Sequence, residues 1–278
     1  MLQRNRFLRW LDEQPPWATV IVSFLAVLLA WELLVVWAGY PPFILPGPRD
    51  VAGAFAGLVV DGRLQRHALV TLSEVIPGLA LGAFVAVPLG YLLTKSPLAE
   101  RVLSPYLIAS QAIPVIAIAP LLTIWVQSWY WSRVLVAALT VFFPILIHTI
   151  AGLRSVPREY YDLLHSLRAT RGQIFRKLEL PAALPTVLAG LKVGATLAVI
   201  GALVGEFVQP KSQGLGFLLV TARYQFKTDE VFVVLLTLGA LCVALLVWFA
   251  GPLLAFADWH PLESVLAQRR APDEVIVV

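Results

Sequence analysis

Six stretches, each long enough to cross a bilayer, run through this chain almost without charge, and they constrain its fold more than any other feature. At 1.5 Å rise per residue, about twenty apolar residues span the roughly 30 Å hydrocarbon core. The stretches are residues 17–38, 70–93, 103–126, 134–153, 184–206 and 231–257. The third and sixth carry no formal charge, and the fifth contains Lys192, read as close enough to a helix end for its ammonium to snorkel to the headgroups. With 59% hydrophobic and only 14% charged residues, little polar sequence is left for a soluble domain. The expected fold is an all-α membrane protein of about six transmembrane helices, forming one domain over residues 1–278.

The first stretch follows Arg4, Arg6 and Arg9, as a secretory signal would. It exceeds the roughly 7–15 apolar residues of a signal and carries Trp17, Trp31 and Trp37, so a retained helix is expected. Cys242 is the single cysteine and lies inside an apolar run, which excludes an internal disulfide or a Cys-rich metal site. His67, His148, His165 and His260 have no metal-ligand spacing, so neither a metal site nor a catalytic constellation is expected. The net charge of +4 suits basic loops against anionic lipid, and no exposed basic domain is available for nucleic acid.

Orientation follows from the short loops. The N-terminus, residues 94–102, 154–183 and the C-terminus hold thirteen Lys and Arg residues, whereas 39–69, 127–133 and 207–230 hold seven. The positive-inside rule then puts both termini in the cytoplasm. Trp125, Trp129, Tyr130 and Trp131 form an aromatic cluster expected at the outer interface. Pro77, Pro88, Pro114, Pro120 and Pro144 lie inside spans, where each removes a helical hydrogen bond and favours a kink.

Residues 154–183 form the one long cytoplasmic loop. Tyr160, Leu163, Leu164 and Leu167 fall at i, i+3, i+4 and i+7, with Arg158, Asp162, His165 and Arg168 elsewhere around the wheel. Thr170 and Gln173 have capping-box spacing, and Ile174, Phe175 and Leu178 give a second helix an apolar side that Pro181 is expected to end. Two small helices are predicted, joined by a turn. By themselves they fit either a docking surface or an interfacial anchor.

The stretch from Asp162 to Pro185, DLLHSLRATRGQIFRKLELPAALP, resembles the cytoplasmic loop of permease subunits of bacterial ABC importers. Those loops carry a Glu-Ala-Ala signature, a downstream Gly and a closing Ile-x-Leu-Pro. Asp162 stands for the acidic residue, Leu163 and Leu164 for the alanines, Arg168 for the glycine, and Leu178, Leu180 and Pro181 for the closing element. Because Arg adopts positive φ less readily than Gly, the turn is expected to shift toward Thr170–Gly172. FILPGPRDV at 43–51, QAIPVIAIAPLLTIW at 111–125, Gly205–Phe207 and Gly214–Gly216 extend the resemblance to the nitrate, sulfonate and taurine importer group.

The resemblance implies a type I ABC importer permease bundle with a cytoplasmic coupling helix. It implies a pair of ATP-binding subunits, an extracytoplasmic substrate-binding protein and a second permease copy as partners, the simpler arrangement being a homodimer in the inner membrane. The chain has no G-x-x-x-x-G-K-[ST] loop, so ATP would be used by the partner, and this subunit is expected to be neither an enzyme nor a cofactor binder. The loop lies nearest the branch that carries riboflavin and pyrimidine precursors, with nitrate, sulfonate or taurine as the alternative cargo.

Three polar residues are candidates for further roles. Gln111 and His148 fall inside spans three and four, where each either lines a pathway or makes an interhelical hydrogen bond. Glu206, at the outer end of span five, is either a wet interfacial residue or one that meets the binding protein. The rival of another class is an ion-coupled secondary transporter, which needs ionisable groups near the midplane. Glu32 and Glu74 lie toward span ends by these boundaries, and no three-span repeat is evident.

Overall fold

The computed structural model describes residues 16–209 and 213–257. Arg4, Arg6, Arg9, His260 and the chain termini, on which part of the orientation argument rests, lie outside the described residues. The described chain forms two compact units.

The smaller unit takes in residues up to 65 and 218–236. Helix α1 (Pro16–Ala38) is apolar on all sides, with Val20, Phe24, Val27 and Trp37 exposed, as a helix in lipid can be. The FILPGPRDV segment folds back along it. The Trp31 indole donates to the Pro46 carbonyl at 3.1 Å and stacks on Phe232, and the Thr228 hydroxyl donates to the Phe43 carbonyl. Helix α2 (Pro48–Val60) starts with proline at its first position, and the Asp50 carboxylate accepts from the Gly47 amide at 3.0 Å.

The larger unit comprises residues 66–217 and the chain from 237 onward. Helix α3 runs from Arg63 to Lys95, seven residues earlier than the predicted start, and keeps Pro77 and Pro88 inside it. Helices α6 (Trp129–Arg154) and α9 (Leu180–Phe207) form the core of this unit. They approach closely because the contact is made by glycines: a Cβ on Gly201 would lie 2.7 Å from the Ala137 Cα, and one on Gly190 would lie 2.6 Å from the His148 Cβ. Small residues replace the hydrophobic effect as the source of tight packing between helices in lipid.

The third predicted span is not one straight helix. Helices α4 (Pro97–Gln111) and α5 (Val115–Val126) meet at 98°. Pro114 has no amide to donate and biases Ile113 away from helical backbone, so the chain turns here and Pro114 caps α5. The prolines at 77, 88, 120 and 144 sit within continuous helices, so of these five positions only Pro114 breaks its span. Among the described residues there are therefore five helices long enough to cross a membrane, and six spans if the bent pair counts as one. Helices α10 (Leu215–Tyr224) and α11 (Thr228–Ala257) complete the described chain.

Candidate functional site: the amphipathic loop and two buried ionic clusters

Helix α7 (Arg158–Ser166) matches the amphipathic prediction. Tyr160, Leu163 and Leu167 are 44%, 55% and 69% exposed, so its apolar edge has no cover among the described residues. Asp162 is also exposed, and Leu164 is half-buried.

The turn after α7 differs from expectation. Arg168 itself takes the left-handed conformation, with φ of 54°, and the turn does not shift to Thr170–Gly172. The Ala169 amide donates to the Leu164 carbonyl at 2.9 Å, and the Arg168 amide donates to that of His165 at 2.9 Å. This is the six-to-one and five-to-two pairing that ends helices at a left-handed residue, usually glycine. Those two bonds offset the strain of placing an arginine there.

The capping box at Thr170 and Gln173 is formed, opening α8 (Arg171–Ile174). Pro181 does not end the helical segment that begins there. A π turn, Phe175–Glu179, continues directly into α9, so residues 171–207 form one continuous helical rod. Proline has no amide to donate within this rod, and the wider π turn just before it accommodates the missing bond and the change of register. Leu178 is half-buried and Leu180 is 44% exposed.

The π turn carries the first buried cluster. Glu179 is ion-paired with Lys95 from the end of α3, and the Lys95 Nζ lies 5.0 Å from the centre of the Tyr161 ring on α7 and 5.9 Å from that of Tyr91. Burial, with Glu179 nearby, holds the Tyr161 phenol above its ordinary pKa. An apolar cavity of about 650 Å³ adjoins this joint, bounded by Val87, Tyr91, Leu153, Phe175 and Ala183.

The second cluster joins α3, α6 and α9 at their other ends. Glu206 is 1% exposed, which corrects the expectation of a wet residue open to a partner. Its carboxylate accepts from the Thr71 hydroxyl at 2.7 Å and from the Gly216 and Phe217 amides, while Thr71 accepts from the Leu215 amide at 2.8 Å. Gly214 and Gly216 leave room for that carboxylate, and Gly214 also holds a φ of 142°. Arg133, a loop residue by the sequence boundaries, is only 8% exposed. It pairs with Glu74 at 2.6 Å and donates to the Gln213 carbonyl at 2.9 Å.

Sequence reasoning missed Glu74, Arg133, Lys95 and Glu179 as network members, because opposite charges on distant segments give no periodic signal. Gln111 is exposed at the end of α4, at the corner where the bent pair turns. The His148 Nδ1 contacts its own helix at the Pro144 carbonyl, 2.7 Å away, and the ring packs on Gly190 of α9, so this hydrogen bond lies within α6 and not between helices.

Comparison with known proteins agrees with this architecture. Residues 78–256 match the family described as "Binding-protein-dependent transport system inner membrane component". The riboflavin transport system permease protein RibX of Chloroflexus aurantiacus is 44% identical, over 81% of this chain and 84% of its own. The formylaminopyrimidine transport permease protein ThiX of Halalkalibacterium halodurans is 35% identical, over 87% and 92%. Among solved structures, the inward-facing methionine ABC transporter MetNI has a chain that superimposes with a TM-score of 0.64 at 20% identity, over 71% of this chain and 97% of that one.

Proposed function

The chain belongs to the family of binding-protein-dependent transport system inner membrane components, and from that premise we propose how this ABC importer permease is driven and what it carries. The exposed edge of α7, formed by Tyr160, Leu163 and Leu167, docks on a separate ATP-binding subunit. That edge is the observation that carries the reading: three large apolar side chains stay exposed on a short polar helix, as on a surface that a partner covers. Asp162 and Arg168 flank the contact, while Leu178, Leu180 and Pro181 lie where the loop joins α9.

The partners are a pair of ATP-binding subunits, an extracytoplasmic binding protein and a second copy of this chain, with lipid around them. ATP binding closes the ATPase pair, α7 moves with it, and the movement reaches α3 and α9 through the Lys95–Glu179–Tyr161 joint. The likeness to RibX supports riboflavin or a related heterocycle as cargo. The loop 154–183 and both termini face the cytoplasm, where the basic residues concentrate.

Co-expression with candidate ATPase and binding-protein subunits tests this. The complex purified through this chain should contain the ATPase and take up riboflavin into proteoliposomes only with ATP. Uptake by the chain alone under a proton gradient would favour the secondary-transporter alternative.

A further inference from the structure

Lys192 is the one charged residue between Glu179 and Glu206 on α9. It stands thirteen positions after the first and fourteen before the second, so about 20 Å of helix separates it from either charged end. A lysine side chain reaches about 6 Å, which rules out the snorkelling expected of a helix that begins near residue 184. The ammonium therefore sits at the depth of the hydrocarbon.

Among the described residues, no hydrogen bond or ion pair reaches Lys192, and its side chain is half-buried. Its surroundings on the helix are informative. Gly190, Gly194, Gly201 and Gly205 turn toward α6, while Val193, Ile200 and Phe207, 46%, 47% and 44% exposed, form an open stripe one position round from it. At about 100° per residue, Lys192 lies on the side of α9 turned away from those glycines and next to that open stripe. A charge at this depth is costly against acyl chains and is kept where it faces water or a counter-group.

We infer that Lys192 lines the water-filled translocation path and donates to an oxygen acceptor of the passing cargo, a carbonyl or an anionic oxygen of a small molecule. The inference rests on the importer reading. It adds a contact at mid-depth on α9 to the polar candidates Gln111 and His148. An ammonium with three donors suits brief, orientation-tolerant contact, as a path that must also release its cargo requires. The alternative counter-group is a carboxylate of the second copy.

The test uses the assembled complex in proteoliposomes, with riboflavin as probe, in a Cys242→Ser background. Lys192→Met should lower ATP-driven uptake about tenfold, as expected for loss of one hydrogen bond to a charged group, with co-purification and basal ATPase activity unchanged. Lys192→Arg should keep most of the uptake. Lys192→Cys should be impaired and recover when 2-aminoethyl methanethiosulfonate restores an ammonium, and saturating riboflavin-loaded binding protein should slow that reaction.

Unchanged uptake by Lys192→Met would overturn the inference. So would a Lys192→Cys thiol that reacts only with a lipid-soluble maleimide, an outcome read without reference to cargo or ATPase. Recovery without protection by cargo would overturn the cargo contact in favour of the second copy's carboxylate. If the wild-type chain fails to purify with an ATPase, the importer reading fails instead, and the thiol-accessibility result still decides whether Lys192 meets water.

Discussion

Lys95, the last residue of α3, is ion-paired with Glu179, which is 3% exposed in the π turn leading into α9. The pair ties two spans together directly beneath Tyr161 of α7. Its two halves are not equivalent: Lys95 is about a third exposed, whereas Glu179 is enclosed.

Removing the lysine should therefore cost more than neutralising the carboxylate. Lys95→Met strands a buried charge and should destabilise by about 2–3 kcal/mol, a value reduced for the lysine's contact with water. Glu179→Gln should cost about 1 kcal/mol. Thermal unfolding of the purified chain in detergent checks the order. Equal effects would mean the pair is solvated and couples nothing.

Arg168 occupies the left-handed position that ends α7. Arg168→Gly removes a strain of about 1 kcal/mol and should leave ATPase assembly intact or improve it. Arg168→Val should weaken assembly, because a β-branched residue resists positive φ. Pull-down of the ATPase subunit with each variant measures the difference, and a loss with glycine would show that the guanidinium itself makes the contact.

The contact between α6 and α9 depends on glycine at 201, where an added Cβ meets the backbone of Ala137 and the side chain of Thr140. Gly201→Leu should cost about 3 kcal/mol or more and reduce the yield of monodisperse protein. Gly172→Ala, with open space around it, should behave as wild type. Size-exclusion profiles of the two compare them directly.

Glu206 holds the segment from Gly214 to Phe217 through its carboxylate. Glu206→Ala should raise hydrogen exchange at the Gly216 and Phe217 amides by about tenfold, the loss of one local clamp, while exchange in mid-α6 stays unchanged. Unchanged exchange at 216–217 would mean that Thr71, through the Leu215 amide, suffices to hold the loop.

Much of this architecture is written in local pattern. Apolar length locates the spans, and the i, i+3, i+4, i+7 spacing of Tyr160, Leu163, Leu164 and Leu167 locates α7. The Thr170–Gln173 box is equally local and is formed as expected. The features that escape such reading depend on neighbours distant in sequence or on competition between rules. Pro181 looks like a stop, yet the π turn just before it lets the helix run through. Arg168 looks unfit for positive φ, yet two backbone bonds hold it there. Arg133 and Glu206 look like loop and interface residues because one partner of each, Glu74 and Thr71 respectively, comes from a segment more than fifty residues away.

In the proposed mechanism the permease is driven through the apolar edge of α7. Leu163→Asp with Leu167→Asp places two charges on that edge without touching a buried side chain, so the chain itself should fold normally. The direct measurement is ATP-driven riboflavin uptake by proteoliposomes containing the double variant, the ATPase subunits and the loaded binding protein. Loss of uptake, together with release of the ATPase subunits on purification, is the result expected. Uptake at the wild-type rate, with the ATPase still bound, would contradict the mechanism.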